Sequence, residues 1–179
     1  MKVNIGTYSF GGIASYLGLG PTLLDKFKTI ASLGFTGVEL LPVDLDNDIE
    51  DIKKWLKETG LEVVSIHAEP TEEIVKKIAE LGGKTVIWAG TPFCNKAEAV
   101  EVAHKLDEMA EMAEPYGIKI GYHNHSQEFF MDEGKRCLST CLTTAQSATR
   151  SSTAAGHRTA AAIRLRSSAA IKTALSPSM

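Results

Sequence analysis

Residues 60–70 read Gly-Leu-Glu-Val-Val-Ser-Ile-His-Ala-Glu-Pro, which is a helix stop, a short apolar strand and a polar strand end in succession. Glycine just after a helix supplies the left-handed conformation that ends it. Side chains alternate along a strand, so Val64, Ile66 and Ala68 are expected on one face, with Ser65, His67 and Glu69 on the other. One face suits a covering layer of helices. The other carries polar groups towards the C-terminal end of the strand.

The same unit recurs on both sides. Leu24, Phe27, Ile30 and Ala31 share one helix face, and Gly34 precedes the strand Val38-Glu39-Leu40. Asp48 is placed to cap a helix carrying Ile49, Ile52, Trp55 and Leu56. Ile74, Ile78 and Leu81 form the next stripe, followed by Gly82-Gly83 and Thr85-Val86-Ile87-Trp88. The longest helix carries Val102, Leu106, Met109 and Ala113, and Gly117 ends it before a strand from Ile118 to His125. Spacing of three to four marks helices with one buried face. With Val3-Asn4-Ile5 at the start, the pattern gives five strands and four principal helices.

Strict alternation of strand and helix implies a parallel sheet covered by helices, either doubly wound or a (β/α)8 TIM barrel. The strand faces favour the barrel. Val38 and Leu40 oppose Glu39, and Tyr122 opposes His123 and His125, so polar groups collect where a barrel keeps its active site. No Gly-x-Gly-x-x-Gly turn follows the first strand, which counts against a dinucleotide fold.

The unit does not continue past about residue 135. All 22 Asp and Glu residues lie at or before Glu133, and no Phe, Tyr or Trp follows Phe130. Of the 19 Lys and Arg residues, six lie from Arg136 onward, so residues 1–135 carry 13 − 22 = −9 and residues 136–179 carry +6. Residues 1–135 are expected to be the N-terminal part of a TIM barrel, truncated after about the fifth strand. Residues 136–179 read as a low-complexity Ala/Ser/Thr/Arg tail, disordered or translated out of frame. The acidic main part argues against nucleic acid as a partner, because phosphate binding needs a basic face. No stretch reaches the roughly 20 apolar residues of a membrane span. The start, Met1-Lys2-Val3-Asn4, has no apolar signal run, and Cys94, Cys137 and Cys141 make no disulfide framework, so the expected compartment is cytoplasmic.

The densest chemistry is Tyr122-His123-Asn124-His125-Ser126-Gln127-Glu128-Phe129. Two histidines at i and i+2 on a strand share a face and can converge on one metal ion, with Glu128 as a nearby carboxylate. Strand-end polar residues satisfied by water or neighbours are the simpler alternative. His67 can orient a substrate hydroxyl or bind metal. Glu39 lies between Val38 and Leu40, where a carboxylate is costly to bury unless paired. That points to a role inside the barrel, with a structural ion pair as the competing reading. Trp88 reads as packing and Cys94 as a loop thiol.

With Gly34-Phe35-Thr36-Gly37-Val38-Glu39-Leu40, Ser65-Ile66-His67-Ala68 and Gly121-Tyr122-His123-Asn124-His125 in place, residues 1 to about 135 resemble the xylose isomerase-like TIM barrels. That superfamily includes sugar phosphate isomerases/epimerases, inosose dehydratases and the endonuclease IV group. The Tyr-His-Asn-His stretch followed by Glu-Phe resembles the isomerase/epimerase branch. The resemblance implies a sugar or sugar phosphate as small-molecule substrate, and a divalent metal ion (Mn, Zn, Mg or Co) held from the ends of strands five to eight. It implies proton transfer next to a carbonyl through an enediolate. By this resemblance the fifth-strand ligand comes from His123, His125 or Glu128, the catalytic residues are Glu39 and His67, and Asn124 and Glu69 bind substrate. The carriers expected on strands six to eight have no counterpart in the sequence, so activity of the chain is expected to be impaired.

Two other readings compete. An endonuclease IV-like DNA repair enzyme needs further histidines on the fourth strand and a basic face, and Trp88-Ala89-Gly90-Thr91 with a charge of −9 opposes it. A non-catalytic half-barrel can persist as a homo-oligomer, its open edge paired with a second copy.

Overall fold

The computed structural model describes residues 3–12, 17, 19–90 and 92–145. Five parallel strands form one sheet in the order β1 Asn4–Gly6, β2 Gly37–Leu40, β3 Glu62–His67, β4 Thr85–Trp88 and β5 Lys119–Tyr122. Four helices connect them: α1 Leu23–Ser32, α2 Ile49–Thr59, α3 Glu72–Glu80 and α4 Lys96–Ala113. Spatial order follows chain order, which is how a barrel winds, and β1 and β5 are edges rather than partners among the described residues.

Asp48 caps α2 as expected, and the other three connecting helices start on caps of the same kind. Thr22, Asp48, Thr71 and Asn95 each accept a backbone N–H of the first turn. Gly60 caps α2 with φ 70°, a conformation that costs glycine little. The helices bury Phe27, Ile30, Ile52, Val75, Ile78, Val102 and Leu106 against Val38, Leu40, Val63, Ile66, Val86, Ile120 and Tyr122 of the sheet. Burial of each large side chain contributes about 1.5–3 kcal/mol.

Simple alternation fails on β3. The register shifts between Val38 and Glu39, so Val38 faces Val63 while Glu39 faces Ser65. The extra residue, Val64, leaves the helix-side core that Val63 joins, and packs instead over Gly37. A Cβ at Gly37 would lie 2.8 Å from Val64 Cγ2 and 2.6 Å from Asn4 Oδ1, so only glycine fits. The bulge keeps Ile66 and Ala68 in the core and leaves Ser65 and His67 on the other face.

β5 is shorter than expected. It ends at Tyr122, and only His123 N–H continues the ladder, donating to Trp88 O at 2.8 Å. The chain then turns through Gln127–Phe129 and forms a two-stranded hairpin, β6 Met131–Asp132 with β7 Lys135–Arg136. Helix α5, Cys137–Thr144, follows and packs on α4, with Cys137, Cys141 and Ala145 in the main core cluster. The first ten residues of the segment read as a tail are therefore structured or packed, because the two cysteines, four apart, make a small apolar face. Residues 146–179 lie outside the described residues. Among the described residues no helix is long and apolar enough to cross a membrane.

Candidate functional site

The sheet face away from the helices gathers its polar side chains near the C-terminal strand ends. Glu39, half-buried on β2, accepts a hydrogen bond from Ser65 Oγ of β3 at 2.8 Å. A Cβ at Gly6 of β1 would lie 3.9 Å from Glu39 Oε1, so the carboxylate spans the first three strands. His67 ends β3. Its ring centroid is 4.8 Å from that of His123, and His123 is 5.0 Å from His125.

The sequence explains this contact across β4. His67 is in register with Ile87, and Ile87 with Gly121. Gly121 has no side chain, so the next side chain on this face after Lys119 is His123, immediately beyond the strand. The two imidazoles meet over Ile87.

Burial pushes the pKa of His67 below its ordinary value, and the charge of His125 lowers it further. Burial likewise lowers His123, helped by His67 and His125 and opposed by the carboxylates of Glu39 and Glu128. Both rings are therefore neutral near pH 7. Neutral imidazole has one donor and one acceptor nitrogen, as proton transfer requires. His123 Nδ1 is buried without a partner among the described residues.

Three expected residues are engaged elsewhere. Glu69 accepts the indole N–H of Trp88 at 2.7 Å, so the reading of Trp88 as packing holds and its polar edge turns to Glu69. The strand ends at His67, which removes the alternation that was to put Glu69 beside it. His67 and Glu69 nevertheless share the lining of a cavity of about 550 Å³ with Pro42, Gly90 and Lys105. Asn124 turns its amide on its own loop, to His125 O at 3.2 Å. Glu128 is fully buried, and its oxygens accept from Tyr122 Oη and from His125 N–H, each at 2.9 Å. His125 is exposed and its Nδ1 is 3.9 Å from Glu128 Oε1.

The expected trio of His123, His125 and Glu128 thus does not converge. No group of three His, Cys, Asp or Glu side chains among the described residues could hold a metal ion. The carboxylate is spent on the loop backbone and the tyrosine, so these residues do not fit the implied metal.

Sequence reasoning missed a buried network at the same end of the sheet. Asp44, after β2, accepts from Thr7 Oγ1 at 2.6 Å, Leu41 N–H at 2.8 Å and Lys26 Nζ at 3.4 Å. Lys26 interrupts the apolar face of α1, and that break in the stripe was the available signal. A larger hollow, about 710 Å³, lies at the opposite strand ends around Asn4, Lys57, Glu62 and Lys84, away from the imidazoles.

The profile of the xylose isomerase-like TIM barrel family matches residues 27–146. The chain belongs to that family. The match runs past residue 135 to the end of the packed segment, in agreement with the docking of α5. A curated relative, 3-dehydro-D-guloside 4-epimerase of Escherichia coli (strain K12), is 31% identical over 83 residues, 36% of this chain and 32% of that protein. A sugar phosphate isomerase/epimerase from Parabacteroides distasonis ATCC 8503 superposes with TM-score 0.65 at 24% identity, covering 81% of this chain and 62% of the other. The IOLI protein with a binding zinc atom superposes with TM-score 0.52 at 17% identity, covering 71% and 53%. Both superpositions carry the fold alone. The chain spans about a third of the curated relative and under two thirds of either structure.

Proposed function

We propose that the chain is the substrate-handling part of a sugar isomerase/epimerase, acting on a keto sugar or its phosphate. The observation that carries this reading is the contact of His67 and His123 at the strand ends, with the Glu39 carboxylate on the same face. The family and the epimerase named above support the substrate class.

The chemistry is a proton transfer next to a carbonyl. One group removes the proton from the carbon beside the carbonyl. The C–H electron pair moves into the C–C bond and the carbonyl π pair onto oxygen, giving an enediolate. Return of a proton to the opposite face of that carbon epimerises the sugar; return to the former carbonyl carbon, with the hydroxyl proton passing from the second oxygen to the first as the new carbonyl forms, isomerises it. Glu39, held by Ser65, suits the base, and an imidazole N–H of His67 suits the donor to the developing oxyanion. A divalent metal belongs to the lineage as Lewis acid, but the described residues of this chain do not assemble a site for it.

Exchange of substrate protons in deuterium oxide tests the reading, since the first half-reaction alone produces it. A panel of ketoses, ketose phosphates and 3-keto-glycosides is incubated with the chain and followed by proton NMR. Selective loss of signal at the carbon beside the carbonyl is expected, falling at least tenfold in Glu39→Gln and His67→Asn. Exchange that is absent across the panel, or indifferent to both substitutions, rejects it.

A further inference from the structure

We propose that Glu128 is a positioning residue: its buried carboxylate holds the loop after β5 so that His123 lies against His67 and His125 against His123. The proposal rests on reading this end of the sheet as the reacting site.

The geometry of the carboxylate is that of a clamp. Tyr122, the last residue of β5, points into the helix-side core and offers its hydroxyl to Glu128 Oε1. His123, the next residue, faces the other way. Two residues on, His125 offers its N–H to Glu128 Oε2. One side chain thus joins the core layer to the loop backbone across the residue that carries the imidazole. Backbone bonds anchor the loop at its two ends, His123 N–H to Trp88 O and Cys137 N–H to Phe130 O, while those between, Phe129 N–H to Ser126 O and Phe130 N–H to Gln127 O, tie it only to itself. A buried carboxylate must have its lone pairs met, so the loop is held as tightly as the carboxylate is. The same bonds explain why Glu128 does not face outward as a ligand.

Three variants of the full chain test this by NMR, with no substrate present, so failure here is separable from failure of the isomerase/epimerase reading. Glu128→Asp keeps the charge but shortens the side chain by one carbon, too short to reach Tyr122 and His125 together. The His125 amide is expected to exchange about tenfold faster than in the parent. The ring-to-ring Overhauser contact of His67 and His123 is expected to vanish, while β3 and β4 amides keep their protection. Glu128→Gln is expected to restore both signals, because its carboxamide can accept from His125 N–H and donate to the tyrosine oxygen. Parent-like exchange and ring contact in Glu128→Asp overturn the proposal, as does loss of both in Glu128→Gln, which would make charge the determinant. If Glu128→Asp does not fold, Tyr122→Phe decides: it removes one anchor and keeps the ring packing, and an unchanged His125 amide there overturns the proposal. Tight stoichiometric zinc binding by the parent that Glu128→Gln abolishes, with the ring contact intact, makes Glu128 a ligand and also overturns it.

Discussion

His67 and His123 touch, ring centroids 4.8 Å apart, although a whole strand lies between β3 and β5. Gly121 makes the contact open to His67, and the Trp88 carbonyl fixes the His123 backbone beside it. The candidate chemistry therefore draws on two buried rings, and burial favours their neutral form.

That neutrality has a pH signature. Burial lowers both pKa values below 6.5 in the folded chain, so just under pH 6.5 the unfolded chain binds more protons. The stability contributed by the neutral rings is complete above about pH 6.5 and is lost as pH falls towards the lowered values. The urea midpoint is expected to drop between about pH 7.5 and 5.5, and less steeply in a His67→Asn/His123→Asn double variant. Equal slopes in the parent and the double variant contradict this assignment.

Metal binding is expected to be weak, because two imidazoles do not close a site and Glu128 is committed to Tyr122 and His125. Calorimetric titration with manganese and zinc checks it. A stoichiometric site of submicromolar affinity, lost in a His123→Ala/His125→Ala variant, would falsify the expectation.

Lys26 and Asp44 are nearly inaccessible, with side chains 4% and 3% exposed. Removing one member leaves a buried charge unmet, so Asp44→Ala is expected to cost about 3–5 kcal/mol in urea unfolding. Lys26→Met is expected to cost less, since Asp44 keeps Thr7 and the Leu41 N–H. An Asp44→Ala loss under about 1 kcal/mol would mean that the network is not closed as described.

The docking of α5 is open to thiol labelling. Cys94 is exposed, while Cys137 and Cys141 are buried, and burial pushes the Cys141 thiol up to about 12. At mildly alkaline pH one thiol is expected to react quickly, slowed somewhat because the Glu98 carboxylate raises its pKa. The other two should react only at the rate of unfolding. Three thiols reacting together would show that Cys137–Thr144 is not packed on α4.

The sequence by itself determined the repeating unit, the parallel sheet and the family. Helix caps, glycine stops and apolar stripes are local, and each is written in a few neighbouring residues such as Asp48, Gly60 and Ile52. It also marked Glu39, His67 and His123 as one face of the sheet. Only the tertiary structure decided which of these meet. The bulge at Val64 depends on how β3 pairs with β2, and strand alternation within β3 carries no trace of it. β5 ends at Tyr122, whose hydroxyl meets a carboxylate six residues away, a pairing that the strand's own residues do not announce. Glu69 and Glu128 were legible in the sequence as carboxylates near strand ends, but not the groups they bond. Their partners, Trp88 and the Tyr122–His125 pair, come from packing that sequence spacing does not encode. The role of Cys137 and Cys141 was hidden for the same reason: a short stripe of small residues gains meaning only from the face of α4 that it covers.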